Sequence, residues 1–210
     1  VTGCQPESSA RSPLKSGKNL GRTVRLVVGI SGASGAIYGV RALEVLKKLR
    51  VESHLVVTDA AMETIRMETG LKPKSVEALA TRSHRIGEMA SALASGSFLT
   101  DGMLVIPCSM KTLAGVATGY SDNLLLRAAD VTLKERRRLV LVVRETPLSL
   151  IHIENMAAVT RAGALVLPAM PAFYHKPKTV DDLVDQVVGK ALSAVGVEND
   201  ILKSWKGPGP

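Results

Sequence analysis

The sequence predicts an α/β fold: a doubly wound, mostly parallel sheet between helices, in a three-layer α/β/α arrangement. Three observations predict it. Short apolar runs alternate with helical patterns along the chain. Most of these runs stop at a turn former or a proline. The 210 residues are 46% hydrophobic but only 3% aromatic, so the core must come from Val, Leu, Ile, Ala and Met. Helices stacked on parallel strands use those residues heavily. A chain of this length is most simply one domain with a sizeable core.

Residues 1–22 are rich in Ser, Gly, Pro and basic residues without periodicity, and read as a flexible basic tail. Residues 24–30 form an apolar run that reads as a strand buried on both faces. A loop of small residues and a helical pattern over 36–49 follow it. A second strand is expected over 53–57. Thr58 and Asp59 then end that strand and cap a helix reaching about Thr69, with Gly70 as the residue after its C-terminus. Residues 71–101 are polar and mixed and show no clear element; 91–97 read as a loop or a weak helix end. A third strand over 102–106 is expected to stop at Pro107, and Cys108 to Thr112 make a second strand-to-helix junction. The next helix carries the small residues Gly115, Ala117 and Gly119, which let a helix or a flat ligand come close. Asp122 or Asn123 caps a long helix over 124–137. A fourth strand covers 138–143, a helix about 149–162, and a fifth strand 164–167. Thr179 caps a last helix over 180–195.

In such sheets ligands sit beyond the carboxyl ends of the strands. The residues to read for chemistry are therefore 31–35, Thr58, 108–112, Arg144 with Glu145, and the loop 168–174. Hydroxyls, amides and cations dominate, an anion-binding set and not a metal set. The first loop, GISGASGAIYG, lacks the glycine spacing of a dinucleotide or P-loop fingerprint. It is either a bare turn or a phosphate-sized anion site at a helix N-terminus, with Ser31 and Ser34 favouring a ligand. Arg144 and Glu145 are either a surface ion pair or a phosphate- or flavin-binding cation beside a proton carrier. The basic run 134–138 reads first as a solvated face, although Arg127 and Lys134 lie two turns apart and can face one site.

The four histidines show no zinc-ligand spacing, and His152 reads as structural. Cys108 stands next to an expected helix start, where a thiol pKa can fall, but with no base nearby it reads first as a buried structural thiol. The cysteines Cys4 and Cys108 give no disulfide framework. That suits a reducing compartment, and a cytoplasmic location is expected. No apolar run approaches the ~20 residues of a membrane span, and the N-terminus lacks a secretory apolar core. The net charge is +8, of which Arg11, Lys15, Lys18 and Arg22 against Glu7 contribute +3. With almost no aromatics to stack bases and no recognised motif, a small anionic ligand explains that charge at least as well as nucleic acid.

Three segments together resemble a known family: GISGASGAIYG, IPCSMKTLAGVATGYSDNLLLRAADVTLKERRRLVLVVRETPLSLIHIENM and MPAFYHKPKTVDDLVDQVV. They are similar to the UbiX-type flavin prenyltransferases over about residues 23–205. The resemblance implies a flavodoxin-like, Rossmann-like single FMN-binding domain over 23–210 with a C-terminal closing segment. It implies transfer of a dimethylallyl group from dimethylallyl monophosphate to reduced FMN, with no metal. The product, prenylated FMN, would serve a UbiD-type decarboxylase, and the enzyme would assemble as a homo-oligomer, usually a dodecamer with sites between subunits. Carried over by position, Gly32, Ala33, Ser34, Thr58, Ser109, Met110, Lys111, Thr112 and Arg144 bind FMN. Tyr174 and Lys190 bind the prenyl phosphate, Lys190 standing where some members have Arg. Arg127, Lys134, Glu145 and Glu68 match further polar active-site positions, with Glu145, Ser34, Glu68 and Lys134 as the catalytic set. Trp205 falls where an aromatic can close the site. An FMN-dependent decarboxylase and a non-catalytic flavin carrier are the alternatives.

Overall fold

A computed structural model describes residues 23–205 and 207; the expected tail 1–22 lies outside the described residues. Six strands form one sheet: β1 (Arg25–Ile30), β2 (Glu52–Val57), β3 (Arg82–His84), β4 (Gly102–Cys108), β5 (Arg138–Val143) and β6 (Leu165–Val166). Their order is β3-β2-β1-β4-β5-β6, and every pairing is parallel. The direction of winding reverses between β1 and β4. Helices α1 (Ala36–Lys48), α2 (Asp59–Thr69), α3 (Pro73–Glu77) and α7 (Val180–Val195) cover one face. Helices α4 (Met110–Thr118), α5 (Leu124–Lys134) and α6 (Leu150–Arg161) cover the other.

The two-sided burial explains why the central strands are continuously apolar. Leu26, Val28 and Ile30 of β1 enter the core under α1 and α7, and Val27 enters the core under α4 and α5. Likewise Leu104 and Ile106 of β4 face one way, and Met103 and Val105 the other. Buried Cys108 closes β4, and burial pushes its thiol up to about 12, so it is an inert core residue.

Local chemistry sets the helix starts. Thr58, Ser109, Asn123, Ser149 and Thr179 each accept a first-turn N–H at the heads of α2, α4, α5, α6 and α7. His152 completes a reciprocal cap with Ser149, the structural part expected of it. Helix α1 starts differently. Its cap position is Gly35, at φ +99° and without a side chain to accept. Glu68 of α2 reaches across instead, accepting from Gly35 N at 2.8 Å and Ala36 N at 2.9 Å. Burial raises the Glu68 carboxyl. The Ser34 hydroxyl, the Ala36 and Gly35 amides and the charge of Arg144 outweigh it and hold the group below its usual 4.5.

The structure departs from the expected elements in four places. Strand β4 does not stop at Pro107 but runs to Cys108. The ladder is irregular between Val105 and Cys108, so the missing proline N–H interrupts no regular pairing. Helix α5 ends at Lys134, because Arg136 turns into the left-handed region at φ +56°. Residues 71–101 hold α3, β3 and a single 3-10 turn, Ala92–Ala94. Strand β3, Arg-Ser-His, carries no apolar signal because it lies at a sheet edge. The last strand keeps only Leu165 and Val166.

Two predictions follow from packing and capping. A Cβ on Gly39 would lie 2.5 Å from the Ile106 carbonyl oxygen, whereas one on Gly87 would meet nothing within 4 Å. Gly39→Ala is expected to lower the unfolding free energy by about 1–3 kcal/mol, and Gly87→Ala to change it by no more than about 0.5 kcal/mol; urea denaturation of both variants decides. For Glu68, a lowered folded pKa means its contribution is complete above pH 4.5 and fades as pH falls through the folded value. The stability gap between wild type and Glu68→Gln should therefore shrink in acid, and an equal gap at pH 7 and pH 3 would contradict the cap.

Candidate functional site

A cavity of about 800 Å³ opens where the winding reverses, beyond the carboxyl ends of β1 and β4. Gly32 from the β1 loop, Thr58, Asp59 and Ala60 from the head of α2, and Ser109 to Thr112 from the head of α4 form its polar walls. Asp122 and Asn123 at the head of α5, and Glu145 after β5, complete them. Ile86, Met110, Ala114 and Leu126 supply apolar wall. Three helix N-termini thus converge on one space, each bringing outward N–H groups and a positive dipole end. One lysine, Lys111, stands among them. Such a cavity binds an oxyanion at its polar end and a flat apolar ring along its side.

The β1 loop that borders this space is drawn tight. A Cβ on Gly32 would meet the Ala60 Cβ at 2.5 Å, so the loop and the head of α2 touch only because glycine stands there. Ser31, expected to favour a ligand, has another job. It is buried, its Oγ donates to the Pro107 carbonyl at 3.0 Å, and it accepts from Ser109 N at 2.7 Å. It pins the β1 loop to the β4–α4 junction. The head of α1 also departs from the phosphate-site reading, because two of its amides and the Ser34 hydroxyl go to the Glu68 carboxylate. Arg144 sits close enough to influence both Glu68 and Tyr38 electrostatically. Ser34, Glu68 and Arg144 therefore form one charged cluster. Arg144 is anchored beside the cavity by its own N–H on the Cys108 carbonyl at 3.3 Å.

Of the residues singled out in the sequence, Gly32, Thr58, Ser109, Met110, Lys111, Thr112 and Glu145 line the cavity directly. Ala33 is buried behind the same loop. The remaining residues do not converge with them in one chain. Arg127 is held by Asp130 at 2.7 Å and by the Ala94 carbonyl at 3.1 Å. Lys134 pairs with Glu135 at 2.5 Å at the far end of α5. That end lies ten residues, about 15 Å, from the cavity-lining head of the helix. Within the chain Arg127 and Lys134 have these partners, and neither lines the cavity. Tyr174, Lys190 and Trp205 belong to the layer of α7 across the sheet. The Tyr174 hydroxyl donates to the Lys203 carbonyl at 3.0 Å and accepts from Gln186 at 2.9 Å, and Trp205 stacks edge-on to the Tyr174 ring.

Asp59, Ile86, Tyr120 and Asp122 are wall residues that sequence reasoning missed. Asp59 and Asp122 stood in view as helix-start residues, but their capping reading hid the wall reading. Ile86 follows an edge strand without a signal. Among the described residues, no group of three His, Cys, Asp or Glu side chains is arranged to hold a metal ion. No helix among them is long and apolar enough to cross a membrane.

The Flavoprotein family profile matches residues 15–192. The probable UbiX-like flavin prenyltransferase of Bacillus subtilis strain 168 is 53% identical over 187 residues, which is 89% of this chain and 92% of that protein. The flavin prenyltransferase UbiX of Neisseria meningitidis serogroup B is 55% identical over 183 residues, 87% and 97% respectively. The crystal structure of AnUbiX (PadA1) in complex with FMN and dimethylallyl pyrophosphate superposes with a TM-score of 0.88 at 50% identity. It covers 90% of this chain and 100% of that one. A dodecameric FMN-dependent UbiX-like decarboxylase from Escherichia coli O157:H7 gives a TM-score of 0.86 at 52% identity, covering 88% and 100%. Fold, cavity position and sequence agree, and the chain belongs to the Flavoprotein family, among its UbiX-like flavin prenyltransferases.

Proposed function

We propose that this protein is a flavin prenyltransferase, moving a dimethylallyl group from dimethylallyl monophosphate to reduced FMN and releasing prenylated FMN. The observation that carries the reading is the cavity at the switch point. Its polar walls are built of hydroxyls and helix N-termini beside an apolar wall, and six of its residues, Gly32, Thr58, Ser109, Met110, Lys111 and Thr112, are ones the UbiX-type pattern assigns to FMN. Its walls suit FMN: Ser109, Thr112, Lys111 and the N–H groups of α4 for a phosphate, and Met110, Ile86 and Leu126 for a ring. Bound there, FMN supplies the ring nitrogen and carbon that accept the prenyl group. The protein's own residues do the rest. Gly32, Ala33, Ser34, Thr58 and Arg144 complete the FMN cradle. Glu68 takes the Ser34 hydroxyl proton as a hydrogen bond and so fixes which way that hydroxyl points. Glu145, on the cavity wall, moves the proton of ring closure.

Departure of a phosphate needs cations around it. Among the described residues Lys111 lines the cavity and Arg144 precedes the wall residue Glu145, while Lys134, Arg127, Tyr174, Lys190 and Trp205 do not line it within the chain. A homo-oligomer brings them in. Helix α6 supports assembly directly: it buries only Val159, while Leu150 and Ile151 are 68% and 67% exposed and Ile153 is 50% exposed. The reading assigns this face to a subunit contact in a homo-oligomer, and the Escherichia coli relative is dodecameric. The product passes to a UbiD-type decarboxylase, and a reducing cytoplasm suits both the free buried thiol and the reduced flavin. Neither nucleic acid nor a membrane is part of the reading.

Anaerobic incubation with reduced FMN and dimethylallyl monophosphate, or with the pyrophosphate in parallel, should add one prenyl group to the flavin by mass. An unchanged flavin mass with both donors would overturn the assignment. Glu145→Gln should still bind FMN but slow ring formation roughly 10²–10⁴-fold in single turnover. Mixing Lys134→Ala with Glu145→Gln protein and allowing subunits to exchange should recover activity that neither variant has alone. Absence of recovery in demonstrably mixed oligomers would contradict a site that takes Lys134 and Glu145 from different chains.

A further inference from the structure

Beside the cavity lies a buried polar chain that the proposed chemistry does not use. His54 of β2 and His84 of β3 are each 5% exposed and stack at 5.2 Å with 26° between their rings. His54 Nδ1 lies 3.0 Å from His84 Nε2, His54 Nε2 lies 3.0 Å from Glu52 Oε1, and His84 Nδ1 lies 2.9 Å from Ser91 Oγ. Glu52 is itself held by Arg25 Nε at 2.7 Å. All four ring nitrogens are engaged, so the proton positions are fixed by counting.

Glu52 is a carboxylate and can only accept, which puts a proton on His54 Nε2. In neutral His54 the other nitrogen, Nδ1, must accept, so His84 Nε2 carries the proton between the rings. His84 Nδ1 then accepts from the Ser91 hydroxyl. One added proton is accommodated: a single N–H still lies between the two rings, His54 Nε2 still donates to Glu52, and His84 Nδ1 now donates to the Ser91 oxygen. A second added proton sets N–H against N–H across 3.0 Å and stacks two cations. The pair holds one extra proton and not two.

The charged groups around the pair do not relieve that limit. On the acidic side, Glu52 is already shared with Arg25, whose N–H is bound by Asp101, and Glu88 Oε1 stands 3.9 Å from His84 Nδ1. On the basic side are Arg82 on β3, and Arg127 and Arg137, which hold the carbonyls of Ala94 and Phe98 in the segment above the rings. Burial first, and then His54 and Arg82, push His84 below the usual 6.5 against the pull of Glu88, so its protonation belongs to acid pH.

The pair is tied to the cavity through the chain. Ile86, two residues beyond His84, lines the cavity, and its carbonyl accepts from Leu124 N, the first residue of α5, at 2.8 Å. Beyond Ser91, the Ala94 carbonyl holds Arg127 of the same helix. The segment that His84 and Ser91 fasten to the sheet therefore grips α5 at two points. The head of α5 supplies Asp122, Asn123 and Leu126 to the cavity.

We propose that His54 and His84 are positioning residues for the α5 wall of the cavity, joined by a hydrogen bond that tolerates one added proton and fails with two, so that flavin affinity falls in acid. The proposal rests on the flavin reading above only for its ligand.

The test follows the pair by ¹⁵N NMR of the histidine rings from pH 8 into acid, with amide exchange of His84 and Leu124 and FMN dissociation constants measured alongside. One proton should enter without change in exchange. The second should enter together with at least tenfold faster exchange at both amides and at least tenfold weaker FMN binding. His84→Gln, which removes one titrating ring, should bind FMN within about threefold of wild type at pH 7 and lose much less of that affinity in acid. Comparing the two proteins at each pH cancels the titration of the FMN phosphate. His54→Gln gives the same reading should His84→Gln fail to fold. Two independent ring titrations with unchanged amide exchange would overturn the proposal, as would equal acid loss of FMN affinity in wild type and variant. Should FMN bind at no pH, the flavin reading fails, while the NMR and exchange data still decide the positioning role.

Discussion

One hydroxyl holds together the two strand ends between which the cavity opens. Where winding reverses, the loops after β1 and β4 leave in opposite directions, and nothing in the sheet's own ladder joins them. Ser31 does, through its backbone N–H and its side chain, both donating to the Pro107 carbonyl, and through the oxygen that accepts from Ser109 N. Without the hydroxyl the Ser109 amide would lose this partner, at a cost of about 1–3 kcal/mol, and the Pro107 carbonyl would keep only the Ser31 N–H. The β1 loop and the head of α4 at the cavity's polar wall meet at this point. Ser109 can cap α4 because its own backbone is fixed, and Gly32 can lie against Ala60 because the loop before it is fixed.

The polar groups around the cavity divide into those used internally and those left facing inward. The Thr58, Ser109 and Asn123 side chains each satisfy one first-turn amide of their own helix. Glu68 satisfies two amides of α1 and takes the Ser34 hydroxyl as well. The head of α1 thus carries a resident carboxylate, and a second full anion on the same amides would have to displace it or share its charge with Arg144. The heads of α2 and α4 carry no such resident, and their free amides together with Lys111 form the more open anion seat. This division keeps Ser34, Glu68 and Arg144 as a charged cluster beside the seat rather than as the seat itself.

Much of the fold was legible because parallel strands covered on both faces must be apolar throughout, and their helices must begin with capping residues. The strand β1, the caps Thr58 and Thr179 and the αL residue Gly70 stand where those rules put them. Strand β3 was not legible: an edge strand of Arg, Ser and His is built on hydrogen bonds to a neighbour that sequence does not name. The same blindness hid the histidine pair, since His54 and His84 are thirty residues apart in sequence and become adjacent only through the β2–β3 register. In the site, loop residues next to strand ends were readable by position. The wall made by Ile86, Tyr120 and Asp122 was not, because it depends on how α5 packs. Helical spacing puts Arg127 and Lys134 on one face but does not give the distance of either from a cavity at one end of the helix.

That distance has a consequence for assembly. A cation at the far end of α5 is poorly placed to act on the cavity of its own chain, yet the resemblance assigns Tyr174 and Lys190 to the prenyl phosphate and Lys134 to the same active site. All three assignments hold only if the oxyanion site is composite, with one chain supplying the flavin walls and other copies the cations. The exposed Leu150, Ile151 and Ile153 of α6 give such copies an apolar surface to bury at about 25 cal/mol per Å². A composite site also separates two requirements that conflict in a single chain. The flavin cavity needs rigid loops pinned by Ser31 and Glu68, while a cluster of cations repels itself until a phosphate arrives. In the proposed composite site, spreading those cations over different subunits would spare each fold that repulsion and form the full positive site only on assembly.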